Sequence, residues 1–236
     1  MLKKTDIQRV WASSLFDRDY ETGDDPAAPY ALPKSSIDFL LELARQLGVA
    51  TVFEFGSGSS TAALLAHGFS VTSLEDSAYW MEQTVRQLPA EDKARHTALV
   101  RLLTLRWHNL IPLKDWPIDA DLAERIQAAD LILIDSPAYV PFRESTLWSV
   151  LNRTRNSVVV IDDVRIHTLS RSCDRMAALN PSLLHQRVQV GHSFDLFARL
   201  EDAPLHLHYT PVETLKGWRR FLLGRRFLAQ VASAIP

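Results

Sequence analysis

An α/β fold with a doubly wound, mostly parallel sheet is what this sequence predicts, on three observations. Residues 130–135 and 157–161 are short apolar runs, the first ending on Asp135 and the second followed by Asp162 and Asp163, as expected of buried parallel strands. Residues 51–55 make a further apolar strand with one embedded acid, Glu54, and lead directly into Gly56-x-Gly58 and a helix-forming segment. Strand and helix patterns then alternate until two final strands meet at Gly191 as an antiparallel hairpin.

In chain order, residues 1–34 mix charge, aromatics and proline and read as an N-terminal extension with a short helix over 7–16. Ser35 or Ser36 is expected to cap a helix over 37–47, whose apolar positions cover a wide face and which Gly48 ends. After the glycine turn, Ser59 or Ser60 offers an N-cap to a helix that closes at Gly68. Residues 69–74 form a strand ending on Glu75 and Asp76, and 77–88 a helix stopped by Pro89. Segment 97–105 suits strand or helix by periodicity and is assigned to strand. Residues 107–121, with Pro112 and Pro117, read as loop, and 122–128 as a short helix. Helices over 142–152 and 165–179 and strands over 184–190 and 193–200 complete the domain. The sum is a seven-stranded sheet within 35–200, with helices on both faces and a C-terminal antiparallel hairpin, followed by a basic tail over 201–236.

Bulk properties narrow the function. A chain of 236 residues, 47% hydrophobic and 23% charged, is long enough to bury one large core. Its formal net charge of −2 offers no general attraction to a polyanion, so nucleic acid is not an expected partner. With Cys173 as the only cysteine, an internal disulfide and a cysteine-based metal cluster are both excluded. The first residues lack an apolar signal core, and no segment approaches the ~20 apolar residues of a transmembrane helix, so a cytoplasmic protein is the expectation.

Ligands of such sheets bind outside the carboxyl ends of the strands, and Glu54, Gly56, Gly58, Glu75, Asp135, Asp162 and Asp163 all fall there. No lysine occurs from Gly56 to Ala66, which excludes a phosphate-binding P-loop. Thr61 stands where a dinucleotide fingerprint has its third glycine, which weakens an NAD-dependent oxidoreductase without removing it. The pattern that remains, Glu54-x-Gly56-x-Gly58-x-Ser60 with Glu75 ending the next strand, resembles the class I S-adenosylmethionine-dependent methyltransferases. The resemblance spans 35–200, closing hairpin included, and implies a Rossmann-like fold. It implies that Glu54 meets the ammonium of S-adenosylmethionine, directly or through water, while Gly56, Ser57 and Gly58 leave room for the cofactor's backbone. Glu75 would accept both ribose hydroxyls, and Asp76 and Ser77 would lie along the adenine edge. The alternative makes Glu54 a capping acid and Glu75 a surface charge.

Asp135, Asp162 and Asp163 converge at the ends of two strands expected to be neighbours, and three carboxylates repel unless a cation or protons intervene. Oxygen ligands suit magnesium, with manganese or calcium as substitutes. The set is similar to the metal site of catechol O-methyltransferase and of the macrolide-sugar O-methyltransferases. That resemblance implies a divalent ion held by Asp135, Asp162 and Asp163, which would acidify an acceptor hydroxyl and align it with the methyl sulfonium. His167 would be the base and Arg143 would steady an anionic or hydroxyl-rich acceptor beside Asp135, with a sugar or other small-molecule hydroxyl receiving the methyl group. In the metal-free alternative Asp135 serves the cofactor side, and Asp162 or Asp163 caps a helix. Trp107, Tyr139 and Phe142 suit either a pocket wall or plain packing.

The tail carries Lys216, Arg219, Arg220, Arg225 and Arg226 interleaved with Leu215, Trp218, Phe221, Leu222, Phe227 and Leu228. Packing on the protein's own sheet or on a second subunit, giving a homodimer, is the expectation. Contact with an anionic membrane surface is the alternative. A non-catalytic binding module on the same fold is the rival to an enzyme.

Overall fold

Among the described residues of the computed structural model there are nine strands: β1 (Thr51–Phe55), β2 (Ser70–Glu75), β3 (His96–Val100), β4 (Thr104–His108), β5 (Ile111–Asp115), β6 (Leu131–Ile134), β7 (Val158–Ile161), β8 (Leu183–Val190) and β9 (His192–Arg199). The helices of eight or more residues are α1 (Lys4–Trp11), α2 (Lys34–Leu47), α3 (Ser59–Ala66), α4 (Ala78–Gln87), α6 (Ala120–Ala128), α7 (Arg143–Leu151) and α8 (His167–Leu179), with a single turn, α5 (Ala90–Lys93), after α4. The structure describes residues 2–17, 32–108, 111–137, 139, 142–165, 167–206, 215–216, 218–219, 221–224 and 226.

Seven strands make one sheet in the order β3-β2-β1-β6-β7-β9-β8. The first five run parallel, and β9 enters antiparallel between β7 and β8. Side chains alternate across the sheet, so a strand covered on both faces must be apolar at every position. Val52, Leu131, Leu133, Val158 and Val160 face a core that α1, α2 and α3 cover. Phe53, Phe55, Ile132, Ile134, Val159 and Ile161 face a second core under α6, α7 and α8. This two-sided burial is the reason the runs at 131–134 and 158–161 show no period-2 pattern.

The N-terminal extension belongs to the first core: Ile7, Val10 and Leu15 are fully buried against the α2 face. Its helix ends at Trp11, earlier than expected, and a separate 3-10 turn spans Ser14–Asp17. α2 starts at Lys34 after Pro33, so Ser35 and Ser36 lie inside the first turn and neither is the cap. Ser36 instead donates its hydroxyl to Val190 O and accepts the His192 amide, tying α2 to the β8–β9 turn. Likewise Gly58, not Ser59 or Ser60, is the N-cap of α3.

The segment assigned to one strand over 97–105 is divided. β3 stops at Val100, and β4 pairs antiparallel with β5 in a ribbon separate from the main sheet, where sequence alone gave a loop. A two-stranded ribbon has one unpaired edge on each strand, which makes room for Pro112 without costing a ladder bond. Asp115, fully buried, anchors this ribbon to α7: its carboxylate accepts the Trp116 amide at 2.8 Å and the Ser149 hydroxyl at 2.7 Å. Among the described residues no helix is long and apolar enough to cross a membrane.

Gly191 has φ +70°, and a Cβ there would lie 2.6 Å from Ser35 Oγ and 3.0 Å from Pro33 Cβ. Both the left-handed backbone and the contact penalise a side chain. Gly191→Ala is expected to lower unfolding stability by on the order of 1–3 kcal/mol in urea denaturation, whereas an unchanged midpoint would show that the turn tolerates a methyl group.

Candidate active site

Backbone hydrogen bonds carry the parallel ladder past the strand ends. Gly56 N–H donates to Leu74 O at 2.8 Å, Asp135 N–H to Phe55 O at 3.0 Å, and Asp162 N–H to Ile134 O at 3.0 Å. The carboxyl ends of β2, β1, β6 and β7 therefore finish level, and Glu75, Gly56, Asp135 and Asp162 share one edge. Gly56 adopts φ +111°, and a Cβ on it would come within 3.4 Å of Ser136 Cβ, so the turns after β1 and β6 touch.

Glu54 points into the protein and is 1% exposed. Its carboxylate accepts the hydroxyls of Ser60 at 3.0 Å, Ser73 at 2.8 Å, and Thr61. Thr61 in turn accepts the Gly58 N–H at 2.9 Å. This chain of bonds fixes the glycine turn against β2 and the first turn of α3. Burial pushes the Glu54 carboxyl up to about 7, against the lowering effect of the three hydroxyls. With those three hydroxyls on it, the residue is first of all an internal anchor of the turn, close to the capping alternative.

Glu75 closes β2 and is 7% exposed. Oε1 accepts the amides of Asp76 at 3.1 Å and Ser77 at 3.2 Å, and Oε2 accepts the Ser57 hydroxyl, at 3.3 Å, from between the two glycines. Burial, followed by the neighbouring Asp76, raises its carboxyl to about 8. Ser77 also caps α4 by accepting the Trp80 amide at 3.3 Å. The predicted cofactor residues Gly56, Ser57, Gly58, Glu75, Asp76 and Ser77 are thus brought together. Ser60 faces Glu54 instead.

Beyond the β6 edge, three acids surround a buried guanidinium. Arg143, at the start of α7, has 5% of its side chain exposed. Its Nη1 lies 3.1 Å from Asp135 Oδ1, 3.3 Å from Asp163 Oδ2 and 3.9 Å from Asp162 Oδ2, at ion-pair distances without hydrogen-bond alignment. Nε donates to Pro137 O at 3.2 Å. Asp135 keeps 30% of its side-chain surface open. The packing around its carboxyl is nevertheless the main reason it titrates well above the ordinary value, with Asp162 and Asp163 adding to that and Arg143 opposing it. Burial and Asp162 raise Asp163 as well. Asp163 is one of two non-glycine residues at positive φ, 62°, among those described, a conformation aspartate tolerates and one that turns its carboxylate toward Arg143.

His192, at the start of β9, was not singled out from the sequence. Its Nδ1 lies 2.9 Å from Asp162 Oδ2, and that hydrogen bond raises its pKa against the effect of burial. The signal was topological: β9 pairs antiparallel with β7, Ile161 opposite Asp195, so the start of β9 runs alongside the chain that continues past β7, where Val164 N–H donates to Ser193 O. Asp162, Asp163 and His192 place one ligand atom each within 4.8 Å of one another, a grouping that leaves Asp135 out. His167 opens α8, but its side chain lies outside the described residues. Tyr139 and Phe142 stack edge to face at 4.9 Å just before Arg143, and Trp107 stands on β4, away from the acids in sequence but in contact with the tail at Trp218.

A seven-stranded sheet with this strand order and a reversed strand near one edge is the Rossmann-like fold of solved methyltransferases. The chain is similar to the SAH-bound methyltransferase PaMTH1 of Podospora anserina, at 14% identity and TM-score 0.53, over 86% of this chain and 98% of that one. It is also similar to the precorrin-6y C5,15-methyltransferase of Geobacter metallireducens (11% identity, TM-score 0.52, 79% and 96% covered) and to a methyltransferase from Geobacter sulfurreducens (15%, 0.51, 85% and 98%). At these identities the likeness is one of fold. No family model matches the chain, and no curated protein matches it.

Glu54 and Glu75 both titrate above the ordinary 4.5 when folded, near 7 and 8. The folded protein thus holds protons that the unfolded chain releases, a contribution fully present below pH 4.5 and lost as pH rises through about 7 and 8. Replacing Glu75 by Gln removes its share, so the stability of E75Q relative to the parent should improve by on the order of 1–3 kcal/mol between about pH 5 and pH 8 in urea titrations. Parallel pH profiles for the two proteins would contradict the buried, protonated Glu75.

Proposed function

We propose that this chain is an S-adenosylmethionine-dependent methyltransferase that methylates a hydroxyl of a small molecule or sugar. The observation that carries the reading is Glu75: a buried carboxylate ending β2, bonded to Ser57 of the glycine turn and level with Asp135 two strands away. A carboxylate there is suited to accept the two ribose hydroxyls, and its ionisation would be restored by them. Similarity to an SAH-bound methyltransferase over 86% of the chain supports the same cofactor.

When bound, S-adenosylmethionine supplies the methyl group, and every other task falls to the chain. The rigid turn of Gly56, Ser57 and Gly58, fixed from below by Glu54, leaves room for the cofactor beside Asp135. Asp76 and Ser77 flank the side on which the adenine would lie. On the acceptor side, methyl transfer breaks the sulfur–carbon bond, forms an oxygen–carbon bond and releases the hydroxyl proton. We assign that proton to His192, whose Nδ1 is held by Asp162 and whose Nε2 makes no hydrogen bond among the described residues. His167 keeps the role of second candidate.

Magnesium does not fit the set Asp135, Asp162 and Asp163, because Arg143 already stands within 3.9 Å of all three and takes the place between them that a cation would need. A dication placed among them would face a buried guanidinium that has no route to solvent. Arg143 accordingly neutralises the acids from behind and is not exposed to an acceptor. No step is routed through a metal.

A methyl-transfer screen over sugar, phenol and small-acid acceptors tests the proposal. Turnover of the acceptor found should be unchanged by magnesium or a chelator. Glu75→Ala should lose cofactor binding by about a hundredfold or more, since two charge-assisted hydrogen bonds go. His192→Ala should keep cofactor binding and lower kcat by about 10²–10⁴-fold. Loss of turnover on chelation would restore the divalent-ion reading, and full activity of H192A would pass the proton to His167.

A further inference from the structure

The tail reads differently once its two sides are separated. The described residues from Leu215 to Arg226 are helical. One side meets the protein: Gly224 is buried, and a Cβ there would lie 2.5 Å from Tyr139 Cδ1 and 2.6 Å from Phe142 Cζ. That contact places the tail over the segment leading into Arg143. Trp218 extends it to the β4–β5 ribbon, with its ring 5.7 Å from that of Trp107.

The other side is open. Leu215 is 72% exposed, Leu222 56%, Leu223 46% and Trp218 38%, while on the ribbon Leu105 and Trp107, two residues apart and so on one face, are 53% and 60% exposed. Lys216, Arg219 and Arg226 share the open side of the tail, and Lys114 sits across the ribbon from Leu105 on the same face. The remaining described charges of these two elements are Arg106, on the opposite ribbon face, and Asp115, which is fully buried. The tail therefore does pack on its own domain, and in doing so presents an apolar face of leucines and indoles whose charges are all positive.

We propose that this face docks on the surface of an anionic lipid bilayer. Indoles and leucines bury at the headgroup level while lysine and arginine meet the lipid charges, which is the composition that a lipid interface selects. Large exposed apolar residues so close together are not the usual state of a monomer's surface. A second copy is the weaker occupant, because a two-fold contact through this face would set Lys216, Arg219 and Arg226 against their own counterparts. Docking would lay the edge that holds Tyr139, Phe142 and Arg143 next to the bilayer, so the acceptor class implied is an amphiphile presented at its surface. That last step rests on the methyltransferase reading, and the docking itself does not.

Vesicle flotation of the full chain decides it, using phosphatidylcholine vesicles with and without phosphatidylglycerol. The protein should float with the phosphatidylglycerol vesicles only and be released by high salt. Each of Arg219→Gln and Arg226→Gln should weaken binding by roughly fivefold. The pair L215S/L222S should weaken it at low salt too, with thermal melting unchanged because these side chains are 72% and 56% exposed. Failure to float, equal binding to neutral vesicles, or a dimer that L215S/L222S dissociates without any vesicle binding would each overturn the proposal. Cofactor binding measured on the same samples keeps a failure of docking distinct from a failure of the enzymatic reading.

Discussion

Parallel register is the constraint on which everything else in this protein depends. Because β2, β1, β6 and β7 run side by side in one direction and in step, their last residues cannot avoid being neighbours. Chemistry written at the end of each strand is thereby collected along one edge, though the residues lie scattered from Glu54 to Asp163 in the sequence. Two-sided burial fixes the register, since a one-residue slip would turn Phe53, Ile132 and Val159 from one core to the other. The fold is shared with methyltransferase structures at 11–15% identity, as expected when topology and not sequence sets the architecture.

Along that edge the charges are organised in two ways. At the β1–β2 end, Glu54 and Glu75 are carboxyls with no cation among their described partners, raised to about 7 and 8 by burial against the opposing pull of their hydroxyl and amide donors. At the β6–β7 end, Asp135, Asp162 and Asp163 share Arg143 and His192. The first arrangement leaves carboxyls whose ionisation a bound polar ligand would complete. The second is compensated in part by Arg143 and His192, while Asp135 and Asp163 still titrate above their ordinary values.

Much of this was legible in the chain because it is local. Apolar runs ending on acids gave the buried strands, Gly48 and Gly191 marked real turns, and the spacing of Glu54, Gly56, Gly58 and Glu75 matched residues that the fold does gather at the ends of β1 and β2. What sequence did not convey was tertiary. Arg143 is expected from sequence to meet an acceptor, and its place among the three acids emerges only once α7 is docked against the β6 and β7 ends. His192 becomes relevant only once β9 is known to lie beside β7. Ser35 and Ser36 look like caps by composition, but Ser36 is recruited by the distant Val190 and His192. The β4–β5 ribbon was hidden by Pro112, which marks a loop in a central strand and is harmless on an open edge. In the tail, basic and apolar residues interleave because the described part is helical with a small inward residue, Gly224, and an outward side that is both apolar and basic.

The central claim is that the β1–β2 edge binds S-adenosylmethionine and that its carboxyls ionise on doing so. Calorimetric titration with S-adenosylhomocysteine and, separately, NAD, near pH 7 in two buffers of different ionisation enthalpy, measures this most directly. The account predicts saturable binding of S-adenosylhomocysteine with net proton release, as Glu75 falls from about 8 on meeting the ribose, and no comparable binding of NAD. Saturable binding of NAD with none of S-adenosylhomocysteine would contradict it.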